Sequence, residues 1–546
     1  MKAFTEPLLS LAGFEEMTKT AEKSSGLISV TGCIDAQKSQ MIYAFGGHRK
    51  NKLIVTFGEQ KAKELYDEYS FFDKEVVYYP SKDVLFYQSD IRGNLLTAER
   101  IRALKAIREQ ERVTLVTTFD ALMNTMAPIE KMWENVLTLE QGQLLDLKEI
   151  QAALIRMGYE KEYQVQTMGQ FSVRGGILDV FPLTEENPIR IELWGDDIDT
   201  IRYFDCESQK SIENIDRVSI YPAAELVLSD EEKAGGIEKL KAEAKRVSDK
   251  LRKQMKTEEA HRVTVMADEL TEEWGELSMY AGMDAFLSYF FDERVGLLDY
   301  FKPSDSLIFF DELTRCTEQG KLTETEFSES MKQRLAMGYI LPGQMNGLFT
   351  EKEIVAKLEK YSCIALGALD NKANGLHQLG SYGIHCQSVS PYNNSFELLI
   401  KDLKRYKKNG YRVILLSGSR TRAKRLSEDI TDQGITCFYT ENYDHELFEG
   451  QIMVCYGKVR RGFEYPILKF AVITESDIFG AQQKKKKRHR MYEGEKIASF
   501  TDLNIGDYVV HENHGLGIYR GIEKIEVDKT VKDYIKIEYA GGGNLY

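Results

Sequence analysis

Short apolar runs separated by charged stretches with three- and four-residue spacing make up the first 135 positions. The runs "GLISVTG", "NKLIVTFG", "EVVYYP" and "VTLVTTFDAL" are rich in β-branched and aromatic residues, and "EQKAKELYDEY" and "LLTAERIRALKAIREQ" between them read as helices. Strands alternating with helices predict a parallel α/β domain, because each parallel strand must return through a crossover. From 136 to 225 the pattern changes to alternating strands with sharp turns: "YQVQTMGQFSVRGGILDVFP", "PIRIELWGDDIDTIRYFD" and "RVSIYPAAE". Gly175-Gly176 between two β-rich runs is a hairpin signal,. The α/β texture then resumes over 226–348, so 136–225 reads as a β-rich module inserted into one α/β domain. Within the resumed part, Ile237, Leu240, Ala244, Val247, Leu251 and Met255 predict one amphipathic helix, and "SLIFFDELTR" predicts a strand ending in Asp311-Glu312,.

A second α/β domain is expected over 349–481, with strands at "SCIALGA", "YRVILLSGS", "ITCFYT", "QIMVCYGK" and "KFAVITESDIFG". The run "QQKKKKRHR" opens a basic linker, 482–498, and a glycine-punctuated β module occupies 499–546. It ends "GGGNLY", just after a strand and a glycine turn, which reads as a cut through a longer parent.

The length of 546 residues suits several domains, and 42% hydrophobic with 29% charged residues is the balance of a globular protein,. No apolar run reaches the roughly 18 residues of a membrane span, and the N-terminus shows no secretory signal,. Seven scattered cysteines without a C-x-x-C pair point to a reducing cytoplasm rather than to zinc or a disulfide framework,. A net charge of −14 argues against a dedicated nucleic-acid binder, so any basic contact surface must be local,.

Three places could carry chemistry. From Gly32 the spacing G-x-x-x-x-G-K-[ST] is kept, with Gln37 at the second glycine position followed by Lys38 and Ser39. A phosphate loop needs small, flexible residues whose amides can wrap a phosphate. Asp35 adds negative charge there, and Ile34 and Gln37 add bulk, so the loop is expected to be inactive. Asp311-Glu312 resembles the acidic strand end that holds Mg²⁺ opposite such a loop, and it too is expected to be vestigial. In "PIRIELWGDD", strand parity puts Ile189, Ile191 and Leu193 inside, leaving Arg190, Glu192 and Trp194 outside,. The same parity turns Ser172 and Arg174 away from core-facing Phe171 and Val173. Trp and Arg are the residues most enriched at binding hot spots. In the last module His511 and His514 lack a third ligand nearby and read as turn and packing residues, while its edge strands offer a surface for pairing with a partner sheet,. Lys484 to Arg490 reads as a solvated tether,.

The block "FSVRGGILDVFP…NPIRIELWGDDIDTIRYFDCESQKSIENIDRVSIYPAAE" resembles the UvrA-binding β domain of the excision-repair subunit UvrB. Together with the altered loop, "IFFDEL" and "GDYVVHENHGLGIYRGI", it makes the chain similar to the N-terminal half of bacterial transcription-repair coupling factors (the Mfd family). The resemblance implies a multidomain α/β architecture: a degenerate P-loop-type domain with the UvrA-binding insert, a second α/β domain and a C-terminal SH3/Tudor-like β-barrel. It implies an adaptor that binds the RNA polymerase β subunit and recruits UvrA for nucleotide excision repair. No cofactor is expected in this part; ATP, Mg²⁺ and DNA would be engaged by motor domains of the parent. Family residues that contact UvrA fall on Arg174, Arg190 and Trp194, with Glu192 beside them; Ser172 departs from the arginine common in UvrB. Polymerase contact is expected near Ile522, Lys524, Ile525 and Val527. The degenerate nucleotide loop comprises Gly32, Gln37, Lys38 and Ser39, facing Asp311 and Glu312. The alternatives are a UvrB-type NTPase acting on damaged DNA and, less suited to this chain's length and order, a CarD-type regulator.

Overall fold

The structure, a computed structural model, describes residues 1–46, 49–82, 94–276, 283–370, 375–480, 505–511, 515–527, 530–539 and 544–545. Seven parallel strands form the first sheet, in the spatial order Gln378–Gly383, Gly26–Thr31, Ser362–Leu366, Ser306–Asp311, Asn51–Thr56, Val113–Thr118 and Val77–Tyr79. Apolar side chains pack on both of its faces, which is why its strands are nearly continuous apolar runs,. The strand Ser362–Leu366 lies between Gly26–Thr31 and Ser306–Asp311. Texture identifies a strand but does not say which sheet it joins: Ser362–Leu366 and Gln378–Gly383, both past the boundary expected at 349, belong to the first sheet.

The insert leaves this sheet after Val113–Thr118 and returns before Ser306–Asp311. Its stem pairs Leu137–Glu140 with Arg217–Ile220. Its six-stranded sheet has the order Ser211–Ile215, Asp197–Phe204, Ile189–Trp194, Ile177–Val180, Gln170–Arg174 and Glu160–Lys161. Phe171, Leu178, Val180, Ile189 and Ile191 form the core with Ile150 and Leu154 of the Leu147–Arg156 helix. That helix is capped by Asp146, whose carboxylate accepts from the Lys148 and Glu149 amides,. At the exit of the insert, Glu225 accepts from buried Arg100 at 2.7 and 3.0 Å and pairs with Lys82 at 3.0 Å. Burial pushes the Glu225 carboxyl up, but Arg100 and Lys82 outweigh it and hold it at about 2.

Two helices, Asp230–Lys253 and Thr257–Glu276, share one core. Leu240, Ala244 and Leu251 are buried in it as their spacing predicts, whereas Met255 lies beyond the helix end and is exposed. Among the described residues no helix is long and apolar enough to cross a membrane.

The next unit is a six-stranded sheet ordered Gln387–Ser388, Phe463–Tyr465, Phe470–Thr474, Arg412–Ser417, Ile452–Tyr456 and Phe438–Tyr439. It shares a core with the first α/β unit: Ile28, Val30 and Ile364 belong to the same cluster as Ile414, Met453 and Val472. Contact at this seam is tight, since a β-carbon on Gly457 would lie 2.7 Å from Leu416 and 3.1 Å from Phe71. Glu68 is buried in the seam, and burial raises its carboxyl to about 7 against the opposing pull of Arg460 and Lys61. The folded state therefore holds this proton more tightly than the unfolded chain does. Stability from Glu68 is full below about 4.5, the ordinary carboxyl value, and is lost as pH rises through about 7,. We expect urea midpoints to fall between pH 6 and pH 8, and Glu68→Gln to flatten that fall; an unchanged slope in the variant would assign the pH dependence to other groups.

The last module is a four-stranded antiparallel sheet ordered Tyr508–His511, Gly515–Val527, Thr530–Glu538 and Asn544–Leu545. The linker 482–498 and His514 lie outside the described residues.

Candidate functional site

The chain from Gly32 into the Asp35–Ala44 helix closes on itself. Gly32 has φ +78°, and a β-carbon there would strike the Ile384 carbonyl,. The Gly32 and Cys33 amides, which a phosphate loop would turn toward its ligand, donate to the carbonyls of Ala368 (3.2 Å) and Gly367 (3.0 Å). Gln37 and Ser39 are both fully buried in the helix. Lys38, 1% exposed, donates from Nζ to Asp311 Oδ1 (2.5 Å), Asp35 Oδ1 (3.0 Å) and Glu312 Oε1 (3.2 Å). Thr56 donates to the other Asp311 oxygen at 3.2 Å. Glu312, at φ +60°, also accepts from the Ala368 amide at 3.2 Å. Burial alone would lower the Lys38 pKa; Asp311, Asp35 and Glu312 reverse this and hold it above its ordinary value. Asp35 is pushed up by burial, yet Lys61, 2.9 Å away, and Lys38 bring it to about 2. The lysine and the acidic strand end that the sequence singles out are thus bonded to each other, with Thr56 and Lys61 as partners that the motif spacing does not signal.

The outer face of the inserted sheet brings the other candidates together. Register aligns Ser172, Asp179, Arg190 and Arg202 in one row across four strands. A second row holds Arg174, Ile177, Glu192 and Thr200. Asp179, 1% exposed, accepts from Arg190 Nε (2.7 Å), Arg190 Nη2 (2.8 Å) and Arg174 Nη2 (2.9 Å). Arg190 also donates to Gln209 Oε1 at 2.8 Å and lies 4.3 Å from the Phe204 ring centroid, a cation–π contact,. Hydrogen bonding to Asp179 outweighs burial and raises its pKa. Glu192 is bound by the Arg202 guanidinium, with one bond at 2.9 Å, and by Thr200 at 3.2 Å. Trp194, at the strand end beside the Gly195 turn, is 83% exposed.

Ser172 stands in the outer row with Asp179 and Arg190 yet is buried, and its hydroxyl donates to the Tyr163 carbonyl at 2.8 Å. Asp179 and Arg202, the partners that hold Arg174, Arg190 and Glu192, are residues that sequence reasoning missed. The hairpin centred on Gly175-Gly176 carried a signal for the first, since a two-residue turn sets Asp179 opposite Ser172 and beside the arginines,.

In the last module Ile522, Lys524, Ile525 and Val527 occupy the Gly515–Val527 strand, paired with Ile535, Asp533, Lys532 and Thr530 of the next. Tyr508 and Val510, paired with Ile518 and Leu516, share a face on which Tyr508, Val510 and Leu516 are exposed, and nearby Ile505 is exposed as well. Val509, Tyr519 and Tyr539 are buried. Sequence reasoning did not single out this exposed apolar face.

Residues 137–226 match the UvrB interaction domain family, and residues 503–546 match the CarD-like/TRCF RID domain family. The chain is thus of the class that carries both domains, joined through α/β units. It is 30% identical over 496 residues to the transcription-repair-coupling factor of Bacillus subtilis (strain 168), covering 90% of this chain and 42% of the relative. The Staphylococcus epidermidis (strain ATCC 12228) and Staphylococcus aureus (strain USA300) proteins of the same name are 29% and 28% identical over 531 and 548 residues. Those matches cover 95% and 98% of this chain and 44% and 45% of the relatives, so the chain spans less than half their length. It corresponds to the N-terminal region of transcription-repair-coupling factors.

Proposed function

We propose that this chain is the adaptor portion of a transcription-repair coupling factor, binding UvrA through the inserted β domain and the RNA polymerase β subunit through the C-terminal module. The observation that carries this reading is Trp194: 83% exposed, it ends the strand that presents Arg190 and Glu192 in a UvrB interaction domain. A large ring held in water beside ordered arginines is the composition of a hot spot. Arg174, Arg190 and Glu192 act with it, the arginines presenting positive potential to an acidic partner surface. For polymerase the exposed Tyr508, Val510 and Leu516 supply apolar contact, with Ile522, Lys524, Ile525 and Val527 further along the same hairpin. In this reading the C-terminal sheet is an SH3/Tudor-like barrel, and the parent's nucleotide chemistry belongs to motor domains. The bonded state of Lys38, Gly32 and Cys33 supports a Gly32–Ser39 loop that no longer takes a nucleotide.

Trp194→Ala tests the UvrA assignment. The side chain is exposed, so the melting temperature should not move, while affinity for purified UvrA at fixed salt falls by about 2 kcal/mol or more, roughly 30-fold. Equal binding by variant and native chain places the contact elsewhere.

A further inference from the structure

The tip of the helix pair combines two features that the fold does not need. The first is conformational. The Asp230–Lys253 helix ends in a Schellman arrangement: the Met255 amide donates to the Arg252 carbonyl (3.0 Å) and the Lys256 amide to the Leu251 carbonyl (3.0 Å),. The residue between these bonds must be left-handed, a position that favours glycine because a β-carbon is strained there. The chain places Met255 there, at φ +64°. The side chain gains nothing from packing, being 87% exposed. A strained backbone carrying an unburied thioether is the signature of a side chain kept for an external contact.

The second feature is charge. Lys245, Arg246, Lys250, Arg252, Lys253 and Lys256 lie along the last turns and the tip, against Asp249, Glu258 and Glu259, in a chain whose net charge is −14. Residues 252–258 are all exposed. Arg246 and Arg252 reach Glu243 and Asp249 only at 3.8 and 3.9 Å, and among the described residues Lys250, Lys253 and Lys256 have no ion pair. Complementing the helix dipole accounts for cations in the last turn, but not for Lys256 past it or for Lys245 and Arg246 two turns back.

We propose that this tip is a contact for duplex nucleic acid, with Lys250, Lys253 and Lys256 on phosphates and Met255 as an apolar probe of the groove between them. One exposed apolar side chain, with cations on both sides of it in the chain, suits a groove about 6 Å wide walled by phosphates, where methionine is among the residues that wedge at base steps,. An anionic membrane would call for an apolar stripe along the helix; here Leu240, Ala244 and Leu251 are spent on the core. Ser248 Oγ, donating to the Ala260 carbonyl at 3.1 Å, ties the two helices to each other just below the tip.

The test is anisotropy of a fluorescein-labelled 30-base-pair duplex titrated with the full chain from 50 to 200 mM salt. The native chain should bind with a salt-dependent constant. Lys250→Ala/Lys253→Ala/Lys256→Ala should flatten the plot of log K against log salt by about 3, at roughly 0.9 per phosphate contact. Met255→Gly should raise the melting temperature and weaken binding several-fold, opposite signs that a purely structural methionine cannot give. Native and triple variant with equal slopes overturn the proposal and move any binding to another basic segment such as Lys484 to Arg490. No duplex binding by the native chain, with phosphatidylserine vesicle binding that the triple variant loses, overturns it in favour of a membrane. A Met255→Gly variant that is stabilised and binds unchanged removes Met255 from the contact.

Discussion

Replacing Lys38 with methionine should destabilise the first α/β unit by roughly 3–5 kcal/mol, the cost of leaving a buried charge without its partner. Asp311 is 2% exposed, and with Lys38 gone its remaining partners are the Thr56 hydroxyl at 3.2 Å and Lys61 at 4.0 Å. Among the described residues Glu312 keeps only the Ala368 amide. Methionine matches the lysine stem in volume, so the loss reports charge rather than a cavity. Urea denaturation of single and double variants separates the terms. Asp311→Asn in the Lys38→Met background should recover most of the loss, because a neutral amide needs no counter-ion; the coupling energy of the pair is the double variant's loss minus the losses of the two single variants. A working nucleotide site makes the opposite prediction, since Lys38→Met would then cost little stability in the free protein and abolish ATP-dependent stabilisation. A loss under about 1 kcal/mol, the scale of an exposed pair, would show that the ammonium is solvated and the loop still open.

Much of this was legible from local pattern. The strands of the first sheet are apolar on both faces, and the parity of Ile189 and Ile191 against Arg190 and Trp194 is read directly off a period of two. What local pattern could not carry was long-range pairing. Ser362–Leu366 joins strands more than fifty and more than three hundred residues earlier in the chain, through backbone hydrogen bonds that have no sequence signature. Ser172 shows the same limit: parity chose its face, but not its burial or its bond to the Tyr163 carbonyl outside the strand. Met255 shows a third, since a helical stripe continues on paper past the residue where the backbone turns left-handed. Candidate residues were visible by type, whereas their states of charge were not. Lys38, on a helix, and Arg190, on a strand, each prove to be held by a buried aspartate from another element.

That last point decides how the Arg190 contact must be tested. Arg190→Glu should cost roughly 3–5 kcal/mol of stability before any partner is added, since it removes two of the three guanidinium bonds to Asp179 and sets a second carboxylate beside it,. The stacking on Phe204 and the bond to Gln209 go with it. Lost UvrA binding by this variant would therefore confuse a missing contact with a misfolded face. Asp179→Asn/Arg190→Gln separates the two. An amide pair needs no charge balance, so the double variant should unfold within about 1–2 kcal/mol of the native chain, near the cost of an exchanged neutral hydrogen bond, while Trp194 stays in place. If Arg190 meets an acidic UvrA surface, the double variant should bind several-fold more weakly, and the deficit should shrink as salt screens the native interaction. Native-like binding by a native-like fold would reduce Arg190 to a brace for the sheet, leaving Trp194 and Arg174 to carry recognition.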